Sequence, residues 1–193
     1  MTITEWGLSM VNNVKIGITG LPGAGKTFTL RRVIEMLTND GKLTIGGIID
    51  EKVTDETGRK KVGLKVTNLQ TNESEIFAGP DIESKIMVGT LGVDLALFES
   101  VSIAAIKNAC EQCDIVIIDE VGKVEVESQA FVDAVNEALD VDKPMIITLH
   151  KKSRNPLLQD IRRRDDVRIL EVTPTNRNIL PFKIVSLMKG EYT

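Results

Sequence analysis

The chain has 193 residues, 42% of them hydrophobic, which suits one domain with a sizeable core rather than several domains. Its net charge is −4 and only 4% of its residues are aromatic, so nucleic acid is not indicated, either as a basic footprint or as an aromatic platform for single strands. Two cysteines are too few for a disulfide framework, no apolar run reaches membrane-spanning length, and residues 1–13 lack the basic start and apolar stretch of a signal peptide, so a cytoplasmic protein is expected.

In chain order, residues 1–13 read as a loose extension ahead of a single domain over 14–193. Residues 14–19 (VKIGIT) form a short β-branched run that enters a glycine-rich turn, the pattern of a buried first strand. Leu30, Val33, Ile34 and Leu37 place one apolar face on a helix over 26–38, which Asn39-Asp40-Gly41 ends. A second strand is expected over 43–49, then a polar stretch over 50–61. Period-two alternation over 62–69, a turn at Thr71-Asn72 and a resumed strand at 75–77 predict a β-hairpin inserted over about 62–77. A loop-rich stretch over 78–91 precedes a helix over 94–110. Further strands are expected over 114–118, 144–149 and 167–172, with helices over 127–139 and 157–164 and a last one opened by Thr173-Pro174. Strands separated by helices imply an α/β fold with parallel pairing, to which the hairpin adds antiparallel strands.

The chemistry is carried first by Gly20-Leu21-Pro22-Gly23-Ala24-Gly25-Lys26-Thr27, which meets the pattern G-x-x-x-x-G-K-[ST] of a P-loop NTPase between a strand and a helix. Consecutive backbone N–H groups can wrap a polyphosphate only where side chains stay away, and the following helix turns its positive end toward the anion. Lys26 reaches the β- and γ-phosphates, and Thr27 offers a hydroxyl to Mg²⁺. The second signal is the apolar run at 115–118 closed by Asp119-Glu120. An Asp at such a strand end helps hold Mg²⁺, and an adjacent Glu can orient or deprotonate the attacking water.

From these blocks the chain resembles the small nucleoside-triphosphatase family of thermophilic bacteria and archaea, which has a human cancer-related relative. The resemblance runs over about 15–181 and rests on GLPGAGKT at 20–27, KVGLKVTNLQTNE at 61–73, LGVDLALFESVSIAAI at 91–106, IVIIDEVGKVEV at 115–126, ITLHKKSRNP at 147–156 and EVTPTNR at 171–177. It implies a RecA-like fold, with a mostly parallel sheet flanked by helices, and slow Mg²⁺-dependent hydrolysis of ATP, GTP and other nucleoside triphosphates to diphosphate and phosphate. It brings Gly122 and Lys123 toward the phosphates, Lys123 as a cation for developing charge, and Asn176 and Arg177 toward the nucleotide base. After Gly46-Gly47 the family has a GGFYTEEVR-like stretch, whereas this chain reads Ile48-Ile49-Asp50-Glu51-Lys52-Val53-Thr54 and lacks the aromatic.

His150, the one histidine, ends a predicted strand where α/β proteins bind ligands. Cys110 and Cys113 have redox or metal spacing but no second pair, and packing is the expected role. The basic stretch of Lys151, Lys152, Arg154, Arg162, Arg163 and Arg164 reads as a solvated helix face, with a phosphate-facing lid or a nucleic-acid patch as alternatives. Three functions are open: a triphosphate hydrolase of broad base specificity, a nucleotide or nucleoside kinase, and a nucleotide-dependent RNA-associated switch. A monomer or weak oligomer is expected.

Overall fold

The computed structural model describes residues 13–39 and 41–191, so residues 1–12 of the expected N-terminal extension and Asp40 of the helix-ending signal lie outside the described residues. The central strands are β1 (Lys15–Gly20), β2 (Ile45–Thr54), β7 (Ile115–Val121), β8 (Met145–His150) and β9 (Val167–Glu171). They pair in parallel in the order β2-β7-β8-β1-β9. Against β2 an antiparallel group continues the same sheet through β3 (Lys61–Asn68), β4 (Ser74–Gly79), β6 (Leu91–Val93) and the two-residue β5 (Met87–Val88).

Helices cover both faces. On one face, α1 (Lys26–Thr38) and α5 (Leu180–Met188) pack Leu30, Val33, Ile184 and Met188 against Ile16, Ile18, Ile115 and Ile117. On the other, α2 (Leu95–Gln112), α3 (Gln129–Asp140) and α4 (Pro156–Arg163) pack Phe98, Phe131 and Leu158 against Ile48, Val116, Ile118 and Ile147. The alternation of Ile115 and Ile117 with Val116 and Ile118 between the two cores is the two-residue period of a strand buried on both faces. Side chains cap three helices: Asp94, Ser128 and Asn155 accept from the N–H groups of Leu97, Phe131 and Leu157 at 3.1, 3.0 and 2.9 Å.

Three expectations need correcting. The second strand does not stop at Ile49: β2 runs on to Thr54 and pairs antiparallel with β3, Asp50 opposite Val66 and Lys52 opposite Leu64. The turn between them is tied by Asp55, whose Oδ1 accepts from the Thr57 hydroxyl at 2.7 Å and from the Arg59 and Lys60 N–H groups at 3.2 Å. The inserted hairpin is therefore the second half of a meander, and the loop-rich 78–91 contains β5. Finally, Thr173 and Pro174 open a series of turns over 173–179, and α5 begins only at Leu180.

Candidate nucleotide site

Because the five central strands are parallel, their C-terminal ends share one edge, and there the loops after β1, β7 and β8 meet. The loop after β1 is the predicted phosphate loop. Gly25, at φ 109°, is the cap of α1, a left-handed conformation that favours glycine. Gly20 packs so closely on the residue just past β9 that an added Cβ would lie 2.8 Å from the Val172 carbonyl oxygen. Ala24 is buried, its N–H bonded to the Leu21 carbonyl at 3.0 Å, while Leu21, Pro22 and Gly23 are exposed around the turn.

Lys26 is 7% exposed, and its ammonium lies 3.2 Å from Glu120 Oε2. Glu120 is half-exposed at the end of β7, beside fully buried Asp119. Asp119 Oδ1 accepts from the hydroxyl of Thr148 on β8, the strand between β1 and β7, and Oδ2 is buried without a hydrogen-bond partner among the described residues. Burial pushes its carboxyl up to about 6 against the Thr148 hydrogen bond, with the Glu120 charge raising it further and Thr27 and Lys26 opposing.

A cleft of about 620 Å³ opens over these groups, lined among others by Gly23, Gly25, Lys26, Thr27, Glu120, Lys123 and His150. The structure thus brings together the phosphate loop, the acidic pair, Gly122, Lys123 and His150. Gly122 is where two carboxylates converge: an added Cβ would meet Glu125 Oε2 at 2.5 Å and Glu120 Oε1 at 3.0 Å. His150 Nδ1 is buried without a hydrogen-bond partner among the described residues, and burial lowers the ring's pKa.

Three acids that line the cleft, Asp50, Glu51 and Glu125, are absent from the sequence expectations. Glu125 sits on a 3-10 turn after the loop, and burial pushes its carboxyl up to about 7. Asp50, on the extension of β2, has both carboxyl oxygens buried without a hydrogen-bond partner among the described residues; burial first, then the charges of Glu125, Asp119 and Glu120, raise it well above its ordinary value. The signal for Asp50 was an acid just past a buried strand that leads to the same sheet edge. For Glu125 it was its place in the block that carries Glu120.

Asn176 and Arg177 take different parts. Asn176 Oδ1 accepts from the Thr173 N–H at 2.8 Å and its Nδ2 donates to the Glu171 carbonyl at 2.9 Å, so both ends of the amide are bonded to nearby backbone. Arg177 lies against the phosphate loop, where a Cβ on Gly25 would meet its Cδ at 3.3 Å. The basic stretch is partly tied down. The Arg162 guanidinium donates to the carbonyls of His150 and Ser153 at 2.7 and 3.1 Å, and Arg164 pairs with Asp140 and Asp166 at 2.9 and 2.8 Å. Cys113 is buried at the end of α2, facing Gly46, and burial raises both thiols. No helix among the described residues is long and apolar enough to cross a membrane.

A model of a family described as NTPase matches residues 15–185. The nucleoside-triphosphatase THEP1 of Picrophilus torridus is 40% identical over 178 residues, covering 92% of this chain and 97% of that protein. Its counterpart in Thermoplasma volcanium is 41% identical over 178 residues, covering 92% and 98%. Among solved structures, THEP1 of Aquifex aeolicus is similar with a TM-score of 0.80 at 30% identity, over 91% of this chain and 99% of that one. A human cancer-related nucleoside triphosphatase follows at 0.77 and 29%, over 93% and 100%. A strand–phosphate loop–helix unit, an acidic pair two strands away and relatedness along almost the whole length place the chain in the NTPase family.

Proposed function

We propose that the cleft binds a nucleoside triphosphate and hydrolyses it to diphosphate and phosphate, with water as the acceptor. The observation that carries this reading is the ion pair of buried Lys26 with Glu120 at the mouth of the phosphate loop. The backbone N–H groups of 20–27 and the start of α1 receive the phosphate oxygens. An arriving triphosphate competes for Lys26, whose ammonium turns from Glu120 to the β- and γ-phosphate oxygens. Glu120 is thereby released to accept a proton from, or orient, the attacking water. The water oxygen bonds to the γ-phosphorus while the bond from that phosphorus to the β,γ-bridging oxygen breaks, and the diphosphate departs with the bridging electrons. Lys123, exposed on the cleft wall, is assigned to the charge that develops on the transferring group.

Mg²⁺ fits the donors present. The orphaned, buried Oδ2 of Asp119 and the Thr27 hydroxyl near it are hard oxygen ligands of the kind the ion prefers. When bound there, the ion would neutralise charge on the β- and γ-phosphate oxygens. Asn176 is assigned to shaping the turn that presents Arg177, which itself faces the nucleotide. The contacts named so far address phosphate, which every nucleoside triphosphate shares, and this supports broad base specificity. Glu120 placed directly after Asp119 favours water over a kinase acceptor, and the internal bonds of Arg162 and Arg164 leave fewer free cations for RNA.

Lys26→Ala removes the cation assigned to the β- and γ-phosphates. Calorimetry with a non-hydrolysable ATP analogue is expected to show binding weakened at least about a hundredfold, in keeping with loss of a buried charge-assisted contact. Unchanged affinity would remove the phosphate-loop assignment.

A further inference from the structure

Phe28 follows directly on Thr27 in the first turn of α1 and lines the same cleft as Lys26 and Glu120. It is 54% exposed, whereas Phe77, Phe98 and Phe131 are fully buried, and the aromatic content of the chain is only 4%. The Arg177 guanidinium lies over its ring, 6.0 Å from the centroid. The two residues come from separate segments, and the backbone of Arg177 is anchored. Its N–H donates to the Thr173 carbonyl at 3.0 Å and its carbonyl accepts from the Thr29 hydroxyl at 3.5 Å. A planar cation is thus held facing an exposed ring, one residue beyond the last phosphate-loop position.

We propose that Phe28 and Arg177 form a stacking clamp for the base of the nucleotide whose phosphates occupy the loop from Gly20 to Thr27. This rests on the hydrolase reading and extends it to the other end of the substrate. A flat ring held between two faces needs about 7 Å, two contacts of roughly 3.5 Å each. The guanidinium carbon now lies 6.0 Å from the ring centroid, so the arginine has to move outward to admit a base. The flexible stem of Arg177 allows that movement while its backbone stays fixed. Phenyl and guanidinium faces stack on any base and read no base edge, so the clamp gains affinity without selecting one base. A purine offers the larger face and gains more than a pyrimidine.

Calorimetry tests this with non-hydrolysable ATP and CTP analogues and with inorganic tripolyphosphate, which has phosphates and no base. Phe28→Ala is expected to weaken both nucleotides, ATP by at least about fivefold and CTP by less, and to leave tripolyphosphate within about twofold. Phe28→Leu, which keeps an apolar side chain but no π face, is expected to lose most of the same affinity. Phe28→Trp is expected to keep it, with indole fluorescence that nucleotides quench and tripolyphosphate does not. Equal ATP affinity in wild type and Phe28→Ala, or an equal loss for ATP and tripolyphosphate, would overturn the clamp and leave the hydrolase reading standing. Failure of the wild type to bind either nucleotide or tripolyphosphate would overturn both.

Discussion

Glu125 carries an ionisable carboxyl into a buried position. It is 6% exposed, and its carboxyl is pushed up to about 7 from an ordinary 4.5, by burial first and then by Glu120 and Asp119, against hydrogen bonds from its own N–H and that of Gly122. Between pH 4.5 and 7 the native protein therefore holds a proton that the unfolded chain has lost, so stability falls as pH rises through that window. Below it, both states are protonated and the cost vanishes. Glu125→Gln keeps the shape and an acceptor but cannot ionise. The variant is expected to be more stable than the wild type at pH 8, on the order of 1–3 kcal/mol, and nearly equal to it at pH 5. Urea unfolding at the two pH values checks this; an equal difference at both would mean that ionisation is not the cause. The phosphate loop, Asp119 and Glu120 were legible because glycines between a strand and a helix, and acids that end an apolar run, mark themselves in one dimension. Glu125 and Asp50 carried only a positional signal, and their burial was not legible, because their environment is made by folding.

At the scale of elements, β2 shows where sequence patterns stop being informative. Residues 45–49 are apolar or glycine and read as a strand; 50–54 carry Asp50, Glu51 and Lys52 and read as a polar connection. Asp50, Glu51 and Lys52 all line the cleft, and Glu51 also pairs with Arg31 and with Lys65, the latter at 3.2 Å, so polar surroundings remove the apolar alternation. The Gly46-Gly47 pair has a spatial reason too. A Cβ on Gly46 would meet Cys113 Sγ at 2.6 Å, where α2 crosses the strand. On Gly47, at φ 109°, it would come within 1.9 Å of the Ile117 carbonyl oxygen on β7. That contact is with backbone in the middle of the parallel sheet and cannot relax by a rotamer change. Gly47→Ala is expected to cost more than about 4 kcal/mol or to prevent folding. Gly58→Ala, also at positive φ (70°) but with nothing within 4 Å, is expected to cost only about 1 kcal/mol. Thermal unfolding of the two variants makes the comparison; similar losses would show that strain at φ, not the approach of β7, decides.

For the whole molecule, the order β2-β7-β8-β1-β9 inserts β8 between the phosphate-loop strand and the strand of the acidic pair. That insertion is what lets Thr148 bond Asp119 and sets His150 at the rim beside Lys26 and Glu120. The α/β class and the parallel strands were readable because each strand is a compact apolar run between helical patterns. Strand order was not, since pairing is decided by long-range packing that no local period encodes. The same limit hid the partner of Phe28: its position lies off the apolar face of Leu30, Val33, Ile34 and Leu37, but only in space does its exposed ring sit under Arg177. The central claim is that this assembly transfers a γ-phosphoryl group to water, with Glu120 acting on that water. The most direct measurement is single-turnover phosphate release from ATP without added acceptor, comparing wild type with Glu120→Gln at saturating enzyme and with ATP-analogue affinity measured in parallel. The wild type is expected to release phosphate, and Glu120→Gln to lose about 10²-fold or more of that rate with binding retained; release at the wild-type rate by Glu120→Gln would show that another group activates the water.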